Sequence, residues 1–174
     1  MSDCVAVSGF IARRPVDADF AVLAQMRRDS RLQNETLYVP EDTADAAIRA
    51  WMTAAESCVR VVADAEDQAI GFAEVWSVPD TRKAHGRVAI LSGRRGQGAG
   101  TAALAAVIDV ATELGMASLL AEMTPDNSAA RGLHLRHGFR EVGVLDCHFR
   151  DTSGLWRDVL VMQRPLGLSS GRRP

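Results

Sequence analysis

The stretch Arg95-Gly96-Gln97-Gly98-Ala99-Gly100-Thr101 decides how this sequence is interpreted. It lies between the apolar residues 88–91 and a pattern rich in alanine and leucine, which predicts a helix over residues 101–114 ended by Gly115. Glycines at alternate positions allow backbone conformations closed to other residues, so successive N–H groups can turn inward. The unpaired N–H groups and the positive dipole end of the following helix favour negative charge. The stretch therefore predicts an anion cradle, that is, a loop whose main-chain N–H groups bind an anion, and a diphosphate is the ligand that fits it best.

Other interpretations of the glycine-rich stretch remain open. A plain turn between a strand and a helix would bind nothing. Residues 98–103 also fit the dinucleotide fingerprint, and Glu122 follows at about the distance of a ribose-binding acid. In that fold, however, the glycines follow the strand directly and open the domain, whereas here residues 92–97 intervene after half the chain. A nucleoside triphosphate is disfavoured further because the sequence has no Walker-type Gly-Lys-Ser/Thr.

The composition is that of an ordinary globular protein. The chain has 174 residues, of which 47% are hydrophobic and 24% charged, and a net charge of −2. These values predict one domain over residues 1–168 with a frayed tail over residues 169–174, and no basic excess to attract nucleic acid. No apolar run approaches the roughly 18 residues that span a bilayer, and the N-terminus lacks a leader pattern. We therefore expect a cytoplasmic protein that does not bind membranes.

The three cysteines give no sign of a cross-linked or metal-binding framework. Cys4, Cys58 and Cys147 are odd in number and far apart in the sequence. A disulfide scaffold and a Cys-x-x-Cys metal site are both disfavoured by this spacing. We expect reduced, structural cysteines and no metal.

Hydrophobic periodicity and turn residues predict a mixed α/β layer with a mostly antiparallel central sheet and about four helices. A polar turn over residues 64–68 predicts a hairpin, and the helix after Pro40 has Asp42 or Thr43 as its cap. That helix is expected to carry Ala46, Ala47, Ala50, Trp51 and Ala54 on one face. The predicted strands span residues 5–12, 59–63, 69–78, 86–91, 117–123, 139–147 and 156–164, and the other predicted helices span residues 17–31, 101–114 and 128–137.

Three blocks of the sequence carry a family resemblance. Arg95-Gly96-Gln97-Gly98-Ala99-Gly100 resembles the Gln/Arg-x-x-Gly-x-Gly/Ala acyl-CoA loop of the GNAT superfamily of N-acetyltransferases. Residues 127–143, which contain His137-Gly138-Phe139, resemble the Asn-to-Gly-Phe segment of that superfamily. Gly154-Leu155-Trp156-Arg157-Asp158-Val159, with Met162-Gln163, resembles the end of the phosphinothricin and methionine sulfoximine acetyltransferase branch. Together the blocks cover about residues 70–166.

The resemblance implies a GNAT-like fold and acetyl-CoA as cosubstrate. Main-chain pairing would hold the pantetheine arm, and Asn127 would hold it from the far side. The alternatives are that Val88 and Ile90 are core residues and that Asn127 is a helix N-cap. The residues implied in cofactor binding are Val88, Ala89, Ile90, Arg95, Gly96, Gln97, Gly98, Ala99, Gly100, Thr101 and Asn127.

Acetyl transfer to an amine requires a base. An alkylammonium is only about one part in a thousand neutral at pH 7, so its deprotonation costs roughly 4 kcal/mol. The branch places a glutamate where this sequence has His85, and histidine is a credible base near neutral pH. The alternative for His85 is a polar loop residue. Glu74 is the second candidate base, and its alternative is a solvent-facing strand residue.

The resemblance places His134 near the CoA sulfur, with a packed helix histidine as the alternative. Tyr38, Trp51 and Trp76 would wall the acceptor pocket, although such aromatics are also typical of a core. The expected function is direct acetyl transfer from acetyl-CoA to a small primary amine such as an amino-acid analogue. The alternatives are a peptide or ribosomal-protein N-terminal acetyltransferase and a non-catalytic CoA-binding protein. The branch also implies a homodimer.

Overall fold

One mixed sheet organises the part of the chain that the computed structural model describes, residues 4–7, 9–54 and 57–167. Within these residues the sheet has eight strands in the order β1-β2-β3-β4-β5-β6-β8-β7. Adjacent strands in this sheet are antiparallel, except for β5 and β6, which are parallel. The strands are β1 (Cys4–Val7), β2 (Phe10–Arg13), β3 (Ser57–Ala63), β4 (Ala69–Ser77), β5 (Lys83–Ile90), β6 (Ser118–Met123), β7 (Arg140–Arg150) and β8 (Trp156–Pro165).

Five α-helices among the described residues cover the two faces of the sheet. Helix α4 packs its buried alanines, leucine and valines on one face, and α1 and α3 form a second apolar cluster on the other. The helices are α1 (Phe20–Arg28), α2 (Ser30–Glu35), α3 (Asp45–Thr53), α4 (Ala99–Glu113) and α5 (Ser128–Arg136). The predicted mixed α/β class is therefore confirmed.

Two N-terminal boundaries were predicted wrongly. The strand predicted over residues 5–12 is a hairpin of β1 and β2, in which Val7 pairs with Phe10 and Gly9 has a φ of +82°. The helix predicted over residues 17–31 breaks at Asp29, which has an extended backbone. The Asp29 carboxylate accepts hydrogen bonds from the N–H groups of Arg31 and Leu32, so it ends α1 and caps α2.

The face predicted for α3 meets the sheet only in part, through Trp51, which packs against the second apolar cluster. The helix buries Ile48 and Met52, while Ala46 and Ala50 are exposed. Larger side chains gain more from burial, so they set the face that meets the sheet. The predicted caps do not hold α3, because Ala44 occupies the N-cap position and, among the described residues, the Asp42 carboxylate accepts from the Ala44 N–H at 2.7 Å and from no later N–H group.

The central part of the prediction is confirmed. The hairpin of β3 and β4 turns over residues 64–68, and β5, α4, β6, α5, β7 and β8 follow in the predicted order. Cys58 and Cys147 carry free thiols, whereas the side chain of Cys4 and the predicted tail lie outside the described residues. No helix in the described part of the chain is long and apolar enough to cross a membrane.

The two parallel strands separate soon after they meet. They pair at Lys83–Ser118, Ala84–Leu119 and His85–Leu120, after which β6 continues beside β8 as far as the Met123–Leu160 pair. Strand β5 continues beside β4 as far as the Gly71–Ile90 pair. The divergence opens a wedge in the sheet between residues 87–90 and residues 121–123.

Candidate active site

The wedge between β5 and β6 is a cleft with a volume of about 440 Å³. Its walls are the two diverging strands, the glycine-rich stretch, the first turns of α5 and one side of α2. The sequence analysis predicted correctly that β5, the glycine-rich stretch and α5 lie around one site. It did not predict the contribution of α2, because the α2 residues are distant in the sequence and form no motif.

The glycine-rich stretch leads into the N-terminus of α4. Gly96 and Gly98 have φ values of +77° and +102°, in the left-handed region that favours glycine. Gly98 is the N-cap of α4, so the free N–H groups of the first helical turn open beside it. Five residues of the stretch line the cleft: Arg95, Gly96, Gly98, Gly100 and Thr101.

The two remaining residues of the stretch do not line the cleft with their side chains. Gln97 is exposed and Ala99 is buried in the core beneath the loop. Any role for these two residues in holding an anion would therefore belong to their main-chain N–H groups.

Two arginine side chains anchor the loop to the rest of the protein. Arg94 forms an ion pair with Asp64, a buried residue of the β3–β4 turn. Arg95 donates to the Ile90 carbonyl at 3.0 Å and to the Glu35 carboxylate at 2.6 Å. These side chains therefore fix the loop, which leaves its main chain to face the cleft.

The free edge of β5 presents main-chain groups to the cleft. The Leu91 N–H donates to the Ile70 carbonyl on β4 at 2.9 Å. Strand alternation then turns the main chain of Ala89 toward β4 and that of Val88 and Ile90 toward the cleft. The side chains of Val88 and Ile90 pack in the α4 core, so the core interpretation of these residues is confirmed.

Asn127 lies at the opposite wall of the cleft. Its side-chain oxygen accepts a hydrogen bond from the Ala130 N–H at 3.1 Å, which confirms it as the N-cap of α5. It also lines the cleft. Its role in binding a cofactor stays a prediction.

His134 lines the cleft from α5 and is 5% exposed. Its Nδ1 lies 2.8 Å from the Ala130 carbonyl oxygen, and its ring meets Phe139 edge to face at 4.9 Å. A carbonyl only accepts, so Nδ1 carries the hydrogen and Nε2 is an acceptor. Burial lowers the pKa of His134, because it penalises the charged imidazolium. His134 is therefore a packed, neutral histidine with one free nitrogen.

Glu74 is buried, so its interpretation as a solvent-facing residue is wrong. It is 6% exposed and accepts a hydrogen bond from the Trp51 indole N–H at 2.7 Å. Its second oxygen, Oε2, lies 3.5 Å from the Arg87 guanidinium and has no hydrogen-bond partner among the described residues. The alternation of β4 places Glu74 on the face that α3 covers.

His85 lies within β5, so its interpretation as a loop residue is wrong. Its ring stacks on Trp76 at a centroid distance of 5.3 Å and an interplanar angle of 15°. Its Nδ1 lies 3.8 Å from Oε1 of Glu122 on β6. Glu122 lines the cleft, whereas the lining does not include His85.

The predicted aromatic residues gather around two arginines that the sequence analysis missed. The Arg27 guanidinium lies 4.5 Å from the Trp51 ring centre and 4.8 Å from that of Tyr38. The Arg87 guanidinium lies 4.0 Å from the Tyr38 ring centre and 4.8 Å from that of Trp76. Burial lowers the pKa of Arg87, and the positive charge of Arg27 acts in the same direction. No local sequence pattern signals this cluster, because its members come from separate elements.

A wider outer groove of about 690 Å³ adjoins the cleft at Glu35. It lies between α2, the segment after β6 and the end of the β7–β8 hairpin. Asn34 and Thr152 hold α2 to that hairpin by two hydrogen bonds of 2.9 Å. In the described part of the chain, no group of three or more His, Cys, Asp or Glu side chains is arranged to hold a metal ion.

Comparison with known proteins identifies the class to which this fold and cleft belong. The family model of the acetyltransferase (GNAT) domain matches residues 10–140. The chain therefore belongs to the GNAT acetyltransferase family, and it is an N-acetyltransferase. The GNAT resemblance and the GNAT-like fold predicted from the sequence are confirmed.

Solved structures agree with this assignment over nearly the whole chain. A GCN5-related N-acetyltransferase from Kribbella flavida is 25% identical with a TM-score of 0.77, over 91% of this chain and 98% of that one. A phosphinothricin acetyltransferase from Sinorhizobium meliloti, solved with acetyl-CoA, is 25% identical with a TM-score of 0.77, over 95% of this chain and 93% of that one. A ribosomal-protein-alanine N-acetyltransferase from Brucella melitensis is 27% identical with a TM-score of 0.77, over 89% of this chain and 99% of that one. None of the curated proteins compared with the chain matches it.

Replacing Glu74 tests the buried charge cluster. In Glu74→Ala, Arg87 loses its nearby carboxylate and the Trp51 N–H loses its acceptor, so we expect the free energy of unfolding to fall by about 3 kcal/mol. Urea unfolding followed by tryptophan fluorescence measures this change. Glu41→Ala, at an exposed position, is the control and should shift stability by less than about 0.5 kcal/mol. Equal stability of the two variants would contradict the account of Glu74.

Proposed function

We propose that the cleft binds acetyl-CoA, with the diphosphate at the glycine-rich stretch and the pantetheine arm along the free edge of β5. The left-handed Gly96 and Gly98 and the N-terminus of α4 suit an anion. The main-chain groups of Val88 and the N–H of Ile90 suit the amides of pantetheine, since they face the cleft as an unpaired strand edge would. The Ile90 carbonyl already accepts from Arg95. Acetyl-CoA supplies the acetyl group as a thioester when bound. Asn127 and His134 line the other wall.

His134 would lie near the CoA sulfur as a neutral residue. Because burial lowers its pKa, it is not charged near pH 7 and does not serve as a cationic acid. Its free Nε2 is an acceptor, so its proposed role is to receive a hydrogen bond from the thiol.

We propose that the acceptor is a small primary amine that also carries a negative group, such as an amino-acid analogue. Arg27 and Arg87 contribute two positive charges, and Glu74 contributes one negative charge beside them. Glu122 adds a second negative charge near Arg87, so the support for an anionic acceptor is the Arg87 guanidinium itself, which can bind a carboxylate by two hydrogen bonds. Arg87 reaches the cleft, where a carboxylate of the acceptor would meet it.

Peptide or ribosomal-protein N-termini are the second candidate acceptors. The outer groove of about 690 Å³ favours them, because it leads away from the cleft at Glu35 and is open enough for an extended chain. The two classes differ in the group next to the reacting amine, which is a free carboxylate in one and a peptide bond in the other. An acceptor panel therefore separates them.

We propose that the enzyme is a cytoplasmic, single-domain homodimer. The homodimer follows from the resemblance to the phosphinothricin branch. Strand β7 supports it, since it forms the sheet edge and exposes Val142 and Val144.

Replacing Gly98 tests the CoA site. In Gly98→Glu a carboxylate would occupy the anion cradle, so we expect acetyl-CoA binding to fall at least 100-fold in isothermal titration calorimetry. Gly115→Glu is the matched control, because Gly115 also has a positive φ, of 69°, but lies past the other end of α4. The control should be destabilised similarly while retaining affinity. Equal affinity of both variants would remove the cradle from the proposed site.

Thiol release from acetyl-CoA tests the acceptor class. The panel contains amino-acid analogues, their decarboxylated counterparts, polyamines, aminoglycosides and short peptides. We expect turnover with carboxylate-bearing amines, and Arg87→Lys should raise their KM about 10-fold because it loses the bidentate contact. The same variant should leave acetyl-CoA affinity unchanged. Turnover restricted to peptides would replace the small-amine proposal by the second candidate.

A further inference from the structure

Glu122, on β6, is the carboxylate that faces the cleft beside the candidate base. The side chain of Glu122 is 35% exposed and lines the cleft, whereas His85 is 23% exposed and lies behind it against Trp76. Strand pairing fixes this order, because His85 pairs with Leu120 at the last contact of β5 and β6. Glu122 is two residues further along β6, on the same face, at the point where the wedge begins.

The spacing of the two side chains fits a shared hydrogen-bond donor. His85 Nδ1 and Glu122 Oε1 are 3.8 Å apart, which is too long for a direct hydrogen bond. One nitrogen donor placed between them would reach both at about 2.9 Å, within the normal N–H···O and N–H···N range. An ammonium carries three donors on one nitrogen and is therefore suited to this gap.

The charged neighbours of the pair also favour this arrangement. On the same face, Arg87 of β5 feels the charges of Glu122, Glu74 and Arg27, and its guanidinium lies against the Tyr38 ring. Glu74 is engaged with Trp51 and lies beside Arg87. Glu122 is thus the carboxylate of this group that is open to the cleft.

We propose that Glu122 and His85 act as one unit on the acceptor, in which Glu122 holds the ammonium and His85 takes its proton. The inference rests on the proposed acetyl transfer and assigns a catalytic role to Glu122, a residue outside the motifs of the resemblance.

The step balances without a further reactant. One ammonium proton passes to Nδ1 of neutral His85, and the imidazolium formed is stabilised by the adjacent Glu122 carboxylate. The free electron pair on the amine forms the new C–N bond to the acetyl carbon, and the C–S bond breaks with its electrons on sulfur. The nitrogen then loses its second proton, which the thiolate takes up, and His85 returns its proton to solvent.

Steady-state kinetics of Glu122→Gln tests the proposal. We expect kcat to fall about 100-fold while the acetyl-CoA dissociation constant stays within about 3-fold of wild type. Glu141→Gln is the matched control, since Glu141 is also a strand residue with a similarly exposed side chain, 37%, and a basic partner, Arg131, but does not line the cleft. This control should keep wild-type kcat, and thermal unfolding of both variants should match.

A double-mutant cycle distinguishes a shared catalytic role from a structural one. Glu122→Gln combined with His85→Gln should be little slower than either single variant, because the two side chains perform one step. In Glu122→Gln the loss should fall on kcat and not on acetyl-CoA affinity. A purely structural residue would lower acetyl-CoA affinity and thermal stability together with the rate.

Three results would overturn the inference. Wild-type kcat in Glu122→Gln would remove it while the proposed acetyltransferase function stands. Multiplicative losses in the double variant would separate Glu122 from His85. A wild-type protein that binds no acetyl-CoA would overturn the proposed function and the inference together.

Discussion

The separation of β5 from β6 is the constraint on which the rest of the site depends. The strands share three pairs, from Lys83–Ser118 to His85–Leu120, and then pair with different neighbours. Gly86 allows β5 to lie directly against α4, because a Cβ at this position would stand 2.4 Å from Cγ1 of the buried Val107. The helix after the glycine-rich stretch thus holds β5 against its own face, while β8 holds β6.

Opening the sheet leaves main-chain groups that need partners. Buried backbone N–H and carbonyl groups are nearly always hydrogen-bonded, and in this wedge the Arg95 guanidinium is a partner for the Ile90 carbonyl. The same guanidinium is held by Glu35, which also borders the outer groove. The loop that would receive a diphosphate and the helix that would meet the acceptor are therefore joined by one ion pair.

The sequence was sufficient for the features that depend on neighbouring residues. The glycine-rich stretch, α4 and the β3–β4 hairpin follow from local turn chemistry and periodicity, and all three are present. The break at Asp29 was missed because a capping side chain can replace helical hydrogen bonds in the middle of a periodic pattern. The error on α3 has a similar origin, since alanine periodicity outweighed the two larger residues that reach the sheet.

The acceptor side of the site was beyond a local analysis. Glu74 resembles an ordinary polar strand residue until α3 brings Trp51 over it, and Arg27 and Arg87 meet across the Tyr38 ring from distant elements. Glu122 is placed near His85 by strand register alone, which no short motif encodes. Long-range pairing therefore determined the features that sequence reasoning missed.

Amide hydrogen exchange with and without acetyl-CoA tests the central claim most directly, because that claim concerns main-chain groups. We expect acetyl-CoA to slow exchange at Val88 and Ile90, which face the wedge, and across residues 96–101, while Ala89, which already faces β4, changes little. Exchange that is unchanged at the wedge, or slowed equally at all three strand positions, would contradict the account of a cofactor bound along the free edge of β5.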